Sequence, residues 1–424
     1  MSQAQSENDE LQEGYQEIQI GPEKLEIPEE WTVTTVGDVA SRFISGGTPD
    51  SDNEDYWGGD IPWTTAAVVE GPQFEGNKDF ITQEGLKNSS ASVVPEGSIL
   101  FGTRVNVANV GRTKKEIAIS QDLTGIVLDE NKVDPDFVAW HLLLNQGKIR
   151  DRYSQGSTIQ GMLTADLKTL PLLSPSLPEQ RRIADILSTV DEQIQQTDEI
   201  IQETKELKRG LMQDLYTRGI KDDREMQSTR IGEIPVNWDL KIIDQHAEVV
   251  SGTHVKSDLV SDDDSLTPYI TGPSDFTRNG IQVSKYTDSP TSFCEIGDTL
   301  VTVKGMSCGK STFADSSVSI SRQLKAVRPG TDLDEKYLFY WIRYKEQLLY
   351  VLAQGTRQLG LSTSDLTTLP IPVPSYEEQE EIGDILSKVD KKIDQEMESK
   401  QDLEDLKRGL MEDLLTGKVR VSTD

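Results

Sequence analysis

The nonapeptide LKRGLMQDL, Leu207 to Leu215, returns as LKRGLMEDL, Leu406 to Leu414, at a shift of 199 residues. The match runs far upstream. LPLLSPSLPEQRRIADILSTVDEQI (Leu170 to Ile194) lies over LPIPVPSYEEQEEIGDILSKVDKKI (Leu369 to Ile393), and about half the positions from Leu170 to Leu215 are identical. Before that only landmarks persist. Gln155-Gly156-Ser157 answers Gln354-Gly355-Thr356, ISQDLTGIVL from Ile119 answers ISRQLKAVRP from Ile320, and Pro95 to Leu100 answers Glu295 to Leu300. Ile27-Pro28 with Trp31 answers Ile234-Pro235 with Trp238. A period this long is not a solenoid. It is a duplicated module, with a variable part of about 150 residues and a closely repeated part of about 45.

The closely repeated part reads as one long helix in each copy. Pro178 precedes the first and Pro374 the second, and early glutamates in the second suit the positive end of a helix dipole. Apolar residues then recur at heptad spacing: Ile183, Leu187, Val190, Ile194, Ile201, Leu211 and Leu215, and again Ile382, Leu386, Val389, Ile393, Leu403, Leu410 and Leu414. Polar residues interrupt each seam: Thr197, Thr204 and Lys208 in one, Glu396, Lys400 and Lys407 in the other. They disfavour a generic two-stranded coil and favour one partner and register. Without a proline from Glu179 to Leu215, the first helix would be roughly 55 Å long at about 1.5 Å per residue.

The variable parts read as mixed α/β modules. SILFGT, TGIVLDE and DTLVTVKG have strand composition and are bounded by Gly, Asn and Asp. A helix is predicted from Pro135 to about Tyr153 and another from Asp334 to about Leu352. The fold class is therefore α/β, of the α+β kind. Two mixed modules are separated by two long antiparallel coiled-coil helices, and the internal repeat gives pseudo-two-fold symmetry.

Composition narrows the function. Lys plus Arg is 43 against 73 for Asp plus Glu, a net charge of −30. Such acidity fits a surface adapted to concentrated salt, as in a halophilic prokaryote, and weighs against a nucleic-acid partner. No apolar run is long enough to span a membrane and the N-terminus has no signal-peptide core, so a cytoplasmic location is expected. Cys294 and Cys308 are too few for a disulfide framework and read as reduced, buried thiols. GMSCGKS, Gly305 to Ser311, falls one residue short of a phosphate-binding loop and reads as a tight loop with a basic tip. His141, His246 and His254 lack metal-ligand spacing, and His141 reads as a core or boundary residue. There is no glycine-rich loop for S-adenosylmethionine, no Asn-Pro-Pro-aromatic tetrapeptide and no nuclease cluster. The sequence predicts a chain without metal, cofactor or catalytic residue of its own.

The pattern resembles the specificity subunit of type I restriction-modification systems. The residues that carry the resemblance are Ile231-Gly232-Glu233-Ile234-Pro235 with Trp238, Leu170-Pro171 leading to Pro178-Glu179-Gln180, then Ile183, Ile186-Leu187, Asp191 and Lys208-Arg209-Gly210-Leu211-Met212. The second half supplies Leu369-Pro370, Glu378-Gln379, Ile382, Ile385-Leu386, Asp390 and Lys407-Arg408-Gly409-Leu410-Met411. Tyr376-Glu377 stands where Leu177-Pro178 stands in the first copy, and the acidity also departs from the pattern. The resemblance implies two target-recognition domains, each reading half of a bipartite, asymmetric DNA target. The paired helices would fix the half-site spacing and dock two methyltransferase subunits. A restriction-translocase would complete the complex, and S-adenosylmethionine, ATP and Mg²⁺ would belong to those partners.

The expected boundaries are a disordered acidic tail over 1–19, the first recognition domain over 20–172 and the first spacer helix over 173–219. A linker over 220–230, the second recognition domain over 231–372, the second spacer helix over 373–416 and a tail over 417–424 complete the chain. Residue type nominates DNA contacts, since base edges are read by Arg, Lys, Asn, Gln, Ser and Thr. In the first module these are Ser45, Gly46, Gly47, Thr48, Thr64, Thr65, Arg104, Asn106, Arg112, Lys114, Lys115, Gln155, Gly156, Ser157 and Thr158. In the second they are Ser251, Gly252, Thr253, Lys304, Lys310, Arg322, Gln354, Gly355, Thr356 and Arg357. Two rival readings are a coiled-coil scaffold that binds proteins without DNA recognition, and a recognition chain from a related system outside type I.

Overall fold

The computed structural model describes residues 13–20, 23–153, 161–221, 224–278, 280–353 and 359–422. The chain divides into two compact units, one made of residues 1–196 and 400–424 and the other of residues 197–399. The second unit is one continuous stretch, whereas the first joins the N-terminal part of the chain to its C-terminal end. The first long helix, Leu177–Thr217, and the second, Tyr376–Leu414, each contribute residues to both units.

In the first unit, a five-stranded sheet runs in the order Ala40–Ser45, Leu123–Leu128, Ile99–Gly102, Val110–Thr113, Gln73–Phe74. A four-stranded sheet runs Asp79–Ile81, Trp57–Thr64, Ile117–Ile119, Ser92–Val94. The second unit repeats the plan with Ala247–Ser251, Leu324–Pro329, Thr299–Thr302 and Ser311–Phe313 in one sheet. Val260–Ser261, Lys285–Thr287, Thr267–Ile270 and Ser319–Ile320 form its other sheet. The three strand-like segments nominated from sequence are strands in these sheets. Each helix predicted after them is split in two, into Pro135–Leu144 and Gln146–Tyr153, and into Glu335–Tyr344 and Glu346–Ala353. Asn145 explains the first break, because its side-chain amide donates to the His141 carbonyl at 2.9 Å and competes with the helical ladder.

Most of the apolar stripe of the helices is buried, while Leu211, Val389, Leu403 and Leu410 are only half-buried. Ile183, Leu187, Ile382, Leu386 and Ile393 are fully enclosed. Each unit then ties itself together with the same polar residues. In the first, Glu179 accepts from the Trp31 indole and from Arg420, and Gln180 accepts from the Asp134 N–H while donating to the Pro175 carbonyl. In the second, Glu378 accepts from Trp238 and Arg224, and Gln379 accepts from the Asp334 N–H while donating to the Pro374 carbonyl. The repeated Glu-Gln dipeptide thus joins the start of each helix to a buried tryptophan and to the cap of the module's own helix.

The repeated phrase acts across the helices. Lys208 pairs with Asp390 at 2.6 Å in the second unit, and Lys407 pairs with Asp191 at 2.8 Å in the first. With Arg224, just past the first helix, on Glu378 and Arg420, just past the second, on Glu179, these pairs show that the two helices run antiparallel within each unit. Each lysine also faces an aromatic ring, Tyr340 for Lys208 and Trp140 for Lys407. The two pairs differ in depth. Lys208 and Asp390 are nearly sealed, whereas the Lys407 side chain keeps 28% of its exposure. Burial pushes the Lys208 ammonium down to about 8 against the pull of Asp390.

Several expected boundaries shift. The tail expected over 1–19 gives way at Tyr15, where Tyr15–Ile20 pairs with Glu23–Pro28. Residues 1–12 lie outside the described residues. The linker expected over 220–230 likewise contains a strand, Met226–Thr229, paired with Gly232–Pro235. These two hairpins are equivalent: Gln16 donates to the carbonyls of Pro28, Glu29 and Trp31, and Gln227 to those of Pro235, Val236 and Trp238. The tail after the second helix is also engaged, through Arg420 on Glu179 and the Gly417 carbonyl on Tyr15. His141 is buried and accepts from the Leu173 N–H through Nε2, so burial holds its imidazole neutral, with a pKa of about 4. Cys294 and Cys308 are free and buried.

The difference in depth sets an expected outcome. Asp390→Ala leaves Lys208 buried with no counter-charge and costs about 3–5 kcal/mol. Asp191→Ala, at the wetter pair, costs about 1 kcal/mol or less. Urea-unfolding midpoints of the two variants test this, and equal losses would show that depth does not govern these pairs.

Candidate nucleic-acid interface

Strand register gathers three loops at one end of the larger sheet in each unit. In the first unit, Thr124 opposite Ser45 and Leu123 opposite Gly102 bring together the loop after Ser45, the turn before Leu123 and the loop after Gly102. In the second, Ser251 opposite Lys325 and Thr302 opposite Leu324 do the same. Of the nominated residues that lie among the described ones, most fall at this end.

Glycine is required where these loops pass closest to the sheet. A Cβ on Gly46 would collide with the Ile119 carbonyl, and one on Gly252 with the Ser321 carbonyl. Gly47 abuts Ser90 and accepts a hydrogen bond from the Trp63 indole. These three glycines shape the loops, while Ser45, Thr48, Ser251 and Thr253 stand exposed beside them. Thr48 donates to the Gln121 side chain at 2.6 Å, which brings Gln121 into the cluster.

Arg104 and Asn106 are exposed in the loop after Gly102, next to an open pocket of about 470 Å³ that Glu70, Asn109 and Arg150 also line. Lys304, Lys310 and Arg322 are exposed cations in the second unit's loops. Lys325 joins them. Its ammonium donates to Ser251 at 2.6 Å and Thr363 at 2.8 Å, and burial, then the nearby charge of Lys304, lower its pKa. Arg150 and Lys325 were missed from sequence. One lies on a helix and the other inside a strand, and only the tertiary register brings them to the loops.

Other nominated residues are placed elsewhere. Thr64 and Thr65 are buried, with hydroxyls that have no partner, and present no surface to a ligand. Arg112 is bound to Asp136 at 2.7 Å and to the Gly97 carbonyl. Lys114 and Lys115 follow it at the opposite end of the sheet, because Val110–Thr113 runs antiparallel to Ile99–Gly102. Gln155, Gly156, Ser157 and Thr158, and Gln354, Gly355, Thr356 and Arg357, lie outside the described residues. The loop from Gly305 to Ser311 leads into a strand rather than a helix, and so does not form a phosphate-binding loop. Among the described residues, no group of three or more His, Cys, Asp or Glu is placed to hold a metal, and no helix is long and apolar enough to cross a membrane.

The duplication is also seen when the chain is compared with known proteins. The family model described as the type I restriction modification DNA specificity domain matches twice, over residues 28–206 and 235–405. The chain belongs to this family. Among its relatives, the putative type I restriction enzyme MjaX specificity subunit of Methanocaldococcus jannaschii is 26% identical over 97% of this chain and 98% of its own length. The MjaVIII specificity subunit of the same organism is 24% identical over 94% of this chain and 95% of its own. The S subunit of M. genitalium has a similar fold, with a TM-score of 0.62 at 18% identity over 91% of this chain and 96% of that one. A chain from a structure of type I assembly and conformational transition gives a TM-score of 0.58 at 18% identity over 93% and 99%. The specificity subunit is the DNA-sequence-recognition component of a type I system and is not an enzyme. Neither rival reading, the protein-binding scaffold or the recognition chain from outside type I, is favoured by these matches.

The split between the two sheet ends is testable on duplex DNA across a salt series. Arg104→Ala and Lys304→Ala should each weaken binding and reduce the slope of log K against log salt by about 0.9 per lost phosphate contact. Lys114→Ala with Lys115→Ala should leave both quantities unchanged. The reverse result would place the interface at the other sheet end.

Proposed function

We propose that this chain reads a bipartite, asymmetric DNA target, one half-site per unit, and docks two methyltransferase subunits together with the restriction-translocase subunits. The observation that carries the reading is that both units present the same three loops at the same sheet end while the loop residues differ. Equivalent position with divergent side chains suits two readings of different sequences by one architecture. S-adenosylmethionine, ATP and Mg²⁺ would act in the partner subunits. The assembly would work in the cytoplasm of a salt-adapted cell, where the charge of −30 keeps the chain hydrated. In such salt the counterion-release contribution shrinks, and base contacts and partner subunits carry more of the binding.

The helices support two further parts of the reading. Lys208, Met212 and Leu215 of the repeated phrase are used within the chain, but Leu207 is 66% exposed and its counterpart Leu406 is 50% exposed. Gly210 and Gly409 lie one turn further along the same faces, with nothing within 4 Å of an added Cβ. A helix-interior glycine costs about 1 kcal/mol relative to alanine, and nothing inside the chain requires one here. An exposed leucine beside a bare backbone, written twice, suits close approach by a partner present in two copies. Leu207→Asp with Leu406→Asp should abolish co-purification of the methyltransferase without lowering the thermal midpoint. Retained co-purification would remove these faces from the docking surface.

The second part is spacing. Four residues inserted after Gln196 and four after Ser399 lengthen each helix by about 6 Å, close to one turn, and so keep the buried faces aligned. The motif methylated in cells should keep both half-sites and gain about one or two base pairs in its unspecified gap, since DNA rises about 3.4 Å per base pair. An unchanged gap in an active variant would show that the helices do not set the spacing.

A further inference from the structure

We infer that Met306 is an apolar wedge that enters the duplex between neighbouring base pairs beside the half-site read by the second unit, with Val105 as its counterpart in the first. The inference rests on the DNA-recognition reading above and adds a mode of contact that hydrogen-bonding residue types do not supply.

Met306 is 74% exposed, more than any other large hydrophobic side chain among the described residues. An isolated exposed apolar residue needs no special explanation. This one lies in a loop with Lys304 and Lys310, next to the turn that carries Arg322 and the strand that carries Lys325. In a chain with 73 acidic residues against 43 basic ones, such a local gathering of cations selects a polyanion as the occupant. A methionine held among phosphate-binding cations is brought up against the bases. Methionine is among the side chains that serve as wedges, and its unbranched, polarisable thioether adapts to a base step.

The loop is braced. The Val303 N–H donates to the Gln323 carbonyl at 2.8 Å, Leu361 donates to Val303 at 2.9 Å, Gly305 to Leu359 at 3.2 Å and Gly309 to Thr302 at 2.9 Å. Gly305 and Gly309 take positive φ values of 84° and 92°, which turn the chain out and back around Met306. A braced tip loses less freedom on insertion than a loose one.

The first unit repeats the device with different residues. Thr103 donates to Asp122 at 2.8 Å, Met162 to Thr103 at 2.6 Å and Ala108 to Gly102 at 2.9 Å, matching the bonds around Val303 and Gly309. Arg104 stands where Lys304 stands, and Val105 beside it is 46% exposed. Asn106 and Ala108 hold φ values of 50° and 67° without being glycine, and Ala108 is strained in the left-handed region. Backbone strain of this kind persists where the surroundings over-determine it, and it clusters at ligand contacts.

The test uses the full chain assembled with its methyltransferase partner and a duplex carrying its methylated motif, labelled at both ends for energy transfer. Met306→Ser should bind about tenfold more weakly and bend the duplex less, because the wedge that unstacks the step is gone. Its salt slope and thermal midpoint should match the wild type, since Met306 contacts no phosphate and buries nothing. Met306→Leu should restore binding and bending. Lys304→Ala should instead lower the salt slope by about 0.9 and keep the bend. Wild-type binding and bending by Met306→Ser would overturn the wedge and leave the recognition reading standing. A wild-type complex that does not prefer the motif duplex over a motif-free one would overturn both.

Discussion

Lys208 keeps its charge in a sealed seam only because Asp390, on a different helix, stands 2.6 Å away and Tyr340 covers it. Lys407 meets Asp191 beside Trp140 in the same manner. A buried ammonium without a counter-charge is costly enough to forbid most other registers. The register of the antiparallel helices within each unit follows from that constraint, and so does the composition of the units. Each takes the beginning of one long helix and the end of the other, so neither repeat closes its core with its own residues alone.

The Glu-Gln dipeptides extend the same logic into the modules. Glu179 and Glu378 sit at the foot of their helices, where each accepts from a buried tryptophan and an arginine. Gln180 and Gln379 hold the caps of the modules' own helices. A recognition surface needs loops held by something rigid. Here the rigid support is the repeated sequence and the loops are the divergent sequence. In the second unit, Lys304, Lys310, Arg322 and Lys325 gather at one sheet end, a local concentration of positive charge on an acidic chain.

The helical seam was legible because a 3.5-residue period leaves few alternatives. Ile183, Leu187, Ile382 and Leu386 are buried as their spacing implied. The loop residues were harder. Ser45, Thr48, Arg104, Ser251 and Lys304, nominated by residue type, stand exposed at the loop end of the larger sheets. By the same criterion Thr64 and Thr65 were nominated although both are buried, and Arg112 although Asp136 holds it. A short strand and the turn after it do not reveal which of their residues packing will bury. An arginine does not reveal a partner brought to it by packing. Lys325 and Arg150 were overlooked for the converse reason.

By itself, then, the sequence determined the duplication, the length and apolar stripe of the helices, the α/β character of the modules and the family. Each of these is written in local periodicity or in self-similarity. Only the tertiary structure decided which lysine meets which aspartate, that the N-terminal hairpin and the C-terminal tail do for one unit what the linker does for the other, and which cations share a surface. Those facts depend on contacts between residues far apart in the chain, and burial and strand register set them where spacing alone does not.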